Sequence, residues 1–144
     1  MVVLKVPKLF KDAGFTLTDK VFFAVVVRTS GAVEVKQFNV PELPLKWLQE
    51  QVGGYIEIVR GAILPGDAYM IVNEDGLYKE LSLNRLASWL YSAGNVGIVG
   101  DVVVCCDFEF DNVLFEPDAY AAPLFWINSL LRKLGLYDVA VLVQ

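Results

Sequence analysis

Runs of apolar residues, and runs in which apolar and polar residues alternate, recur along the chain at lengths typical of β-strands. The segments with this composition are Val2–Val6, Lys20–Arg28, Ala32–Val40, Gly54–Arg60, Ala68–Asn73, Leu77–Leu81, Val96–Asp111 and Leu136–Val143. Turn residues join two pairs of them, Thr29-Ser30-Gly31 in the first pair and Glu74-Asp75-Gly76 in the second. Each pair therefore predicts a β-hairpin. The segment over 96–111 is long enough to be bent or broken at a glycine.

Three other stretches have apolar residues at helical spacing. They begin near Pro44, near Ser82 or Asn84, and near Pro123, and glycines end them at Gly53, Gly94 and Gly135. Proline suits the first turn of a helix, an Asn or Ser side chain can cap it, and glycine favours the left-handed conformation that ends it. Strands grouped around about three helices, without regular βαβ alternation, predict an α+β fold. We expect one globular domain over residues 1–144, with a mostly antiparallel sheet.

The chain is unusually apolar for its length. Of its 144 residues, 56% are hydrophobic, and the mean hydropathy is +0.49. This composition excludes intrinsic disorder, while the longest apolar run, Val21–Val27, is far shorter than the roughly 20 residues of a membrane span. A surplus of large apolar residues predicts a surface that another copy of the chain covers. We expect a homo-oligomer whose subunits meet at Val21–Val27, at Val102–Cys106 and at the helix near Trp126.

The chain has no histidine, which excludes Ser-His-Asp catalysis, Cys-His catalysis and histidine metal sites. It also lacks the glycine spacings of a phosphate-binding loop and of a dinucleotide-binding motif. Cys105 and Cys106 are adjacent and would point to opposite faces of a strand, so we expect two small buried residues in a reducing compartment. The sequence therefore predicts a protein that is not an enzyme and that needs no cofactor.

The net charge is −5 and the sequence pI is about 4.6. Residues 1–72 carry 8 basic and 7 acidic groups, and residues 73–144 carry 4 basic and 10 acidic groups. No basic stripe suited to a phosphate backbone is present, so we expect no nucleic-acid partner. With neither a membrane span nor a secretory signal pattern, we expect a cytoplasmic protein with no membrane partner.

Four short motifs follow one another between residues 47 and 104. They are Val52–Glu57 (VGGYIE), Asn73–Gly76 (NEDG), Leu83–Ala87 (LNRLA) and Val99–Asp101 (VGD). In these motifs and their spacing the segment resembles the phage and mobile-element family of the domain of unknown function 3846. The predicted hairpin over 20–40 and the predicted C-terminal helix and strand over 117–143 lie outside this family-like core.

The resemblance implies a genetic setting and not a reaction. Phages, plasmids and transposons encode small proteins that counter host defence, some by binding nucleotide signals and others by binding proteins. No catalytic motif comes with this family. If the protein is encoded by a phage, the cytoplasm of the host cell is the expected location.

A set of aromatic, basic and capping residues could hold a nucleotide-like ligand. The predicted ligand contacts are Tyr55, Arg60, Tyr78, Lys79, Asn84, Arg85 and Trp89. The N–H groups at the start of a helix attract anions, basic side chains bind phosphates, and aromatic rings stack on bases. The same residues are consistent with a capped amphipathic helix whose Arg85 lies in solvent, and Gly53-Gly54 is consistent with a simple turn.

Carboxylates are dense between residues 101 and 118. Asp107, Glu109 and Asp111 would share one face of a strand, and the neighbouring acids are Asp101, Glu116 and Asp118. Such oxygens suit Mg²⁺ or Ca²⁺, but the run does not match a calcium-binding EF-hand loop. Plain alternation, with the two phenylalanines inside and the acids in water, explains the same pattern, and we predict no metal site.

Three functions are compatible with these observations. Our leading expectation is a non-enzymatic protein that binds a nucleotide-like signal, in a pocket between subunits, and so sequesters a host immune signal. The alternative is a protein-binding inhibitor that docks on a host defence or regulatory protein through its acidic half and exposed aromatic residues. A metal-dependent hydrolase is less favoured, because without histidine a carboxylate, a lysine or a metal-bound hydroxide would have to act as the base.

Overall fold

The computed structural model describes residues 2–6, 20–39, 44–60, 64, 68–93, 95–109, 129–133, 135 and 139–143. The strands are β1 (Val2–Val6), β2 (Lys20–Val27), β3 (Val33–Asn39), β4 (Ile56–Val59), β5 (Tyr69–Asn73), β6 (Val102–Glu109) and β7 (Val139–Val143). The helices are α1 (Leu45–Val52) and α2 (Arg85–Ser92), and residues 129–133 are also helical. No helix within these ranges is long and apolar enough to cross a bilayer.

Five strands form one antiparallel sheet in the order β3-β2-β6-β5-β4. A separate parallel pair joins β1 to β7. The predicted single α+β domain with a mostly antiparallel sheet is confirmed. The first predicted hairpin is also confirmed, since β2 and β3 pair with Val27 opposite Val33.

The central strands of the five-stranded sheet are covered on both faces. One face packs against α2 and the segment 129–133 through Val25, Met70, Val104, Leu90 and Leu130. The opposite face packs against α1 through Val26, Ile71, Val103, Leu48 and Val52. Because both faces are buried at residues 24–27, 70–72 and 102–106, these stretches are apolar without interruption instead of alternating.

This packing changes the interpretation of the apolar surplus. Residues 24–27 of β2 and residues 102–106 of β6 are buried within a single chain, so these residues are not available as subunit contacts. Cys105 and Cys106 are both buried, as predicted. The helix near Trp126 lies outside the described residues. The homo-oligomer remains a prediction, but its expected interface is wrong at residues 24–27 and 102–106; the side chains of residues 21–23 lie outside the described residues.

The predicted return strand over 77–81 is also wrong, because residues 74–80 form consecutive turns. β5 already has β6 on one side and β4 on the other, so the sheet leaves no edge of β5 for a third strand. Locally, the Asn73 side chain accepts a hydrogen bond of 2.8 Å from the Asp75 N–H, which closes an Asx turn. Glu80 then adopts a positive φ of 54°.

For the other helices and strands, the predicted and observed structures differ mainly in where an element begins or ends. The long segment predicted over 96–111 is broken at Gly100, where φ is +80° and a side chain would lie 2.8 Å from Leu81 Cδ1. Gly53 ends α1 in the left-handed conformation, as predicted. At the end of α2 the left-handed residue is Ala93 instead of a glycine.

Asn84 fixes the start of α2 to the sheet. Its Oδ1 accepts a hydrogen bond from the Ala87 N–H at 3.0 Å, which caps the helix. Its Nδ2 donates to Val27 O and to Gly100 O, each at 2.9 Å. The residue is fully buried, so one side chain satisfies a helix N–H, the end of β2 and the bend before β6.

We predict that Asn84→Ala destabilises the fold by about 2–4 kcal/mol, because it removes a helix cap and leaves two buried carbonyl groups without a donor. Asn84→Asp should also be strongly destabilising, since a carboxylate keeps the cap but would face both carbonyl oxygens. Urea unfolding followed by circular dichroism measures both effects. The neighbouring exposed Arg85→Ala is the control and should change stability by less than about 0.5 kcal/mol; an equal loss in all three variants would contradict the role of Asn84.

Candidate functional site

The four motifs that carry the family resemblance meet at one end of the five-stranded sheet. At this end β2 and β5 finish while β4 and β6 begin, as the pairs Val27–Val102 and Ile56–Asn73 show. The end of α1 and the start of α2 lie there too, because Val52 O accepts a hydrogen bond from Asn73 and Asn84 donates one to Val27 O. Segments that are distant in sequence thus form one continuous set of loops.

Hydrogen bonds join these loops directly. Asn73 Nδ2 donates to Val52 O at 3.0 Å, which ties the end of β5 to the end of α1. The Glu74 N–H donates to Tyr55 O at 2.9 Å and extends the pairing of β4 with β5 by one residue. The motifs are therefore first of all the residues that hold this end of the sheet together.

A partly exposed ion pair lies at the same end of the sheet, where β2 ends and β6 begins. Arg28 contacts Asp101 at 3.2 Å and donates to Gln51 Oε1 at 2.8 Å. Asp101 also accepts from the Thr29 N–H at 2.8 Å. The neighbouring polar cavity has a volume of about 390 Å³. Because Arg28 already faces Asp101 and Glu34, its charge is compensated and the cavity offers little attraction for an anion.

A second depression, which we call the acidic groove, has a volume of about 470 Å³. Its walls are β4, the turns that follow β5, and the loop between α2 and β6 together with one α2 side chain. The lining residues are Glu57, Val59, Val72, Asn73, Glu74, Asp75, Gly76, Leu77, Tyr78, Tyr91, Val96, Gly97, Ile98 and Val99. The groove lies on the α2 face of the sheet, where Val59 and Tyr91 also contact the core.

The acidic groove combines negative charge with an exposed apolar surface. Its charged lining residues are the carboxylates Glu57, Glu74 and Asp75, and no Lys or Arg is among the described residues that line it. Tyr78 is 91% exposed and Leu77 is 78% exposed. Large apolar side chains so exposed on a rigid frame are typical of a binding surface. This one suits a partner that has both apolar groups and positive charge.

The structure brings part of the predicted ligand set to this groove. Tyr78 lines it, and Lys79 follows in the same turn. Lys79 Nζ lies beside Gly54, 3.0 Å from the position that a side-chain carbon there would take, next to Tyr55, which is 69% exposed. Lys79 and Gly54 therefore form a basic corner at this end of the sheet, with Tyr55 next in sequence after Gly54, while Tyr78 lies in the acidic groove.

The other predicted residues lie elsewhere. Arg60 follows the far end of β4, roughly 16 Å from Tyr55 at the rise of an extended strand, and stacks on Tyr69 with 5.6 Å to the ring centroid. Arg85 and Trp89 are exposed and one turn apart on the outward face of α2. Asn84 is buried with its side-chain groups engaged, so it is a structural cap that does not face a ligand.

The acidic residues of the groove were absent from the predicted set. Glu57 and Glu74 lie within the motifs, but Glu57 has the alternation of an ordinary strand and Glu74-Asp75 has the composition of a hairpin turn. Only their meeting across the β4–β5 pair creates a site. The predicted hairpin did not place β4 against β5, so the sequence offered no reason to group these acids.

No group of three or more metal-ligating side chains occurs in the part of the chain that the structure describes. Of the carboxylates predicted over 101–118, Asp101 is described and contacts Arg28 and Thr29. The side chains of Asp107, Glu109 and the acids after them lie outside the described residues.

We predict that the floor of the acidic groove depends on Gly76. A Cβ at this position would lie 2.9 Å from Val99 Cγ2, so Gly76→Ala should destabilise the fold by about 1–3 kcal/mol through overpacking. Adding Val99→Ala should recover about 1 kcal/mol, because it removes the atom in conflict. Urea unfolding of both single variants and the double variant measures this coupling; strictly additive effects would contradict the contact.

The comparisons with known proteins give a family and no further relative. The model of a family described as a domain of unknown function, DUF3846, matches residues 22–114. This range includes all four motifs and most of the β2–β3 hairpin, so it extends beyond the core of 47–104. Neither the curated proteins nor the solved structures contain a match. Because the family model covers almost two thirds of the chain, the protein belongs to the DUF3846 family.

Proposed function

We propose that this chain is a non-enzymatic binding protein that holds a positively charged, partly apolar segment of a partner protein in the acidic groove. The observation that carries the proposal is the lining itself: carboxylates from β4 and from the turn after β5 flank the exposed side chains of Leu77 and Tyr78. Complementary charge steers association and sets specificity. Apolar and aromatic contacts supply most of the affinity at such surfaces.

The same lining separates the two binding hypotheses. A nucleotide-like ligand carries phosphates, and phosphates placed near Glu57, Glu74 and Asp75 would be repelled. A lysine or arginine side chain with an apolar neighbour meets both halves of the groove. Protein binding is therefore the function that this geometry favours.

A nucleotide-like ligand has one specific observation in its favour, and we keep it as a second candidate. Lys79 Nζ lies beside Gly54, and the next residue, Tyr55, is exposed. A glycine that lets a ligand approach the backbone, a cation and an aromatic ring are the groups that bind a phosphate and a stacked base. Such a ligand would lie at this corner and outside the acidic groove.

The biological setting follows from the family resemblance and is part of the proposal. In a phage or mobile element, the expected partner is a host defence or regulatory protein, and the expected role is inhibition in the host cytoplasm. If the chain forms a homo-oligomer, the acidic groove must remain accessible in it, because the partner binds there.

A direct test uses a fluorescent ten-residue peptide of alternating leucine and lysine, with a leucine–glutamate peptide for comparison. We expect binding of the lysine peptide only, weakened by salt because charge contributes to it. Glu74→Lys and Tyr78→Ala should each weaken binding by about tenfold, for loss of charge attraction and of aromatic contact respectively. Fluorescence anisotropy at low and high salt measures the affinity.

The matched control is Glu50→Lys, which makes the same charge change on α1 outside the acidic groove and should leave binding within about twofold. Equal binding of both peptides, or equal weakening by Glu50→Lys and Glu74→Lys, would overturn the proposal. The second candidate is tested with ADP-ribose and cyclic nucleotides. A thermal shift that Lys79→Ala abolishes and Glu74→Lys does not reduce would favour it.

A further inference from the structure

The acidic groove runs alongside the outer strand of the sheet. β4 is the last strand in the order β3-β2-β6-β5-β4 and pairs on one side with β5. Among the described residues, no strand pairs with its other side. A strand in this position presents backbone N–H and C=O groups to whatever lies beside it.

The hydrogen-bond pattern shows which residues carry those groups. In an antiparallel pair, every second residue bonds to its neighbour and the residues between them face the opposite way. The bond from the Glu74 N–H to Tyr55 O makes Tyr55 an inward-bonding residue. The register then makes Glu57 and Val59 inward-bonding as well, opposite Val72 and Met70. The N–H and C=O groups of Ile56 and Ile58 therefore point away from the sheet.

The side chains of β4 divide between the two faces in the same alternation. Glu57 and Val59 line the acidic groove, while Ile56 packs on the α1 side. Ile58 shares the α1 side and is 56% exposed. The outer edge of β4 thus has outward backbone groups with a carboxylate on one face and an uncovered apolar side chain on the other.

We infer that the partner segment binds as an extended strand that pairs with the outer edge of β4. This inference rests on the proposed function and specifies how the acidic groove is occupied. The added strand would exchange hydrogen bonds with Ile56 and Ile58. On one face its lysine or arginine lies near Glu57, and on the other face an apolar side chain covers Ile58.

Charge favours a foreign strand over a second copy of the chain. If two β4 strands paired antiparallel about a twofold axis, the two Glu57 side chains would lie on the same face and close together. Like charges opposite each other destabilise a strand pair. A strand with lysine or arginine at that position has the opposite effect, so the edge selects a basic partner.

The test uses a blocked five-residue peptide of alternating valine and lysine, and the same peptide with methyl groups on the backbone nitrogens that would face β4. Methylation removes the hydrogen bonds and keeps every charge and side chain. We expect the methylated peptide to bind the full chain at least about tenfold more weakly. Fluorescence anisotropy gives the affinities, and sedimentation gives the stoichiometry.

Two substitutions in β4 test the protein side. Ile58→Pro removes an outward N–H and leaves the bonds to β5 in place, so it should weaken the unmethylated peptide by about tenfold. Ile58→Ala is the matched control, because it shortens the side chain and keeps the N–H, and it should have a smaller effect. Thermal unfolding shows that each variant remains folded.

The outcomes separate this inference from the proposed function. Suppose that the methylated and unmethylated valine–lysine peptides bind equally and that Glu57→Lys abolishes the binding of each. Strand addition would then be overturned, while the acidic groove would remain a binding site. If neither the leucine–lysine peptide nor the unmethylated valine–lysine peptide binds, the proposed function and the strand addition are both overturned. A dimer of the protein that the peptide cannot dissociate, and that Ile58→Pro abolishes, would overturn the inference in favour of a second copy at this edge.

Discussion

Burial of the sheet on both faces is the constraint on which the rest of this structure depends. α1 covers one face, while α2 and the segment 129–133 cover the other. The parts of the interior strands that are buried on both faces, residues 24–27, 70–72 and 102–106, must then be apolar without interruption. These stretches consequently offer no surface to a partner, and the exposed parts of the described sheet are the loops at the strand ends and the outer strands. The acidic groove occupies such a position, at the junction of one strand-end loop with the outer strand β4.

Two buried asparagines make this arrangement specific. Asn73 joins the end of β5 to the end of α1 and closes the turn that bears Glu74 and Asp75. Asn84 joins the start of α2 to the end of β2 and to the bend before β6. Both lie in family motifs, and both use a side chain where a backbone partner is missing. Buried polar groups that are fully paired favour one arrangement, because every alternative leaves them unpaired. The motifs therefore maintain the geometry on which the groove depends.

Local patterns predicted the elements better than their pairing. The apolar run of β2, the capping residue Asn84 and the glycine after α1 each follow from interactions within a few residues, and the structure has them as predicted. The alternating sequence over 77–81 suits a strand, but no return strand forms there because β4 and β6 already pair with both edges of β5. Pairing depends on which strands compete for the same edge. The assignment of apolar runs to subunit contacts failed for a related reason, since a run alone does not reveal that two helices cover it.

The same distinction applies to the site. Tyr55, Tyr78 and Lys79 could be selected from the sequence by residue type, and they lie in segments that meet at the same end of the sheet. Glu57 and Glu74 could not, because they gain a shared role only when β4 lies against β5. The seven residues predicted to contact a nucleotide include three cations, whereas every charged residue in the described lining of the groove is a carboxylate. The net charge of −5 does not predict this arrangement, because acids spread over a surface and acids gathered in one groove give the same net charge. Ligand class follows from which charges the fold gathers beside one apolar surface, and here the fold gathers acids beside a strand edge that can accept another strand.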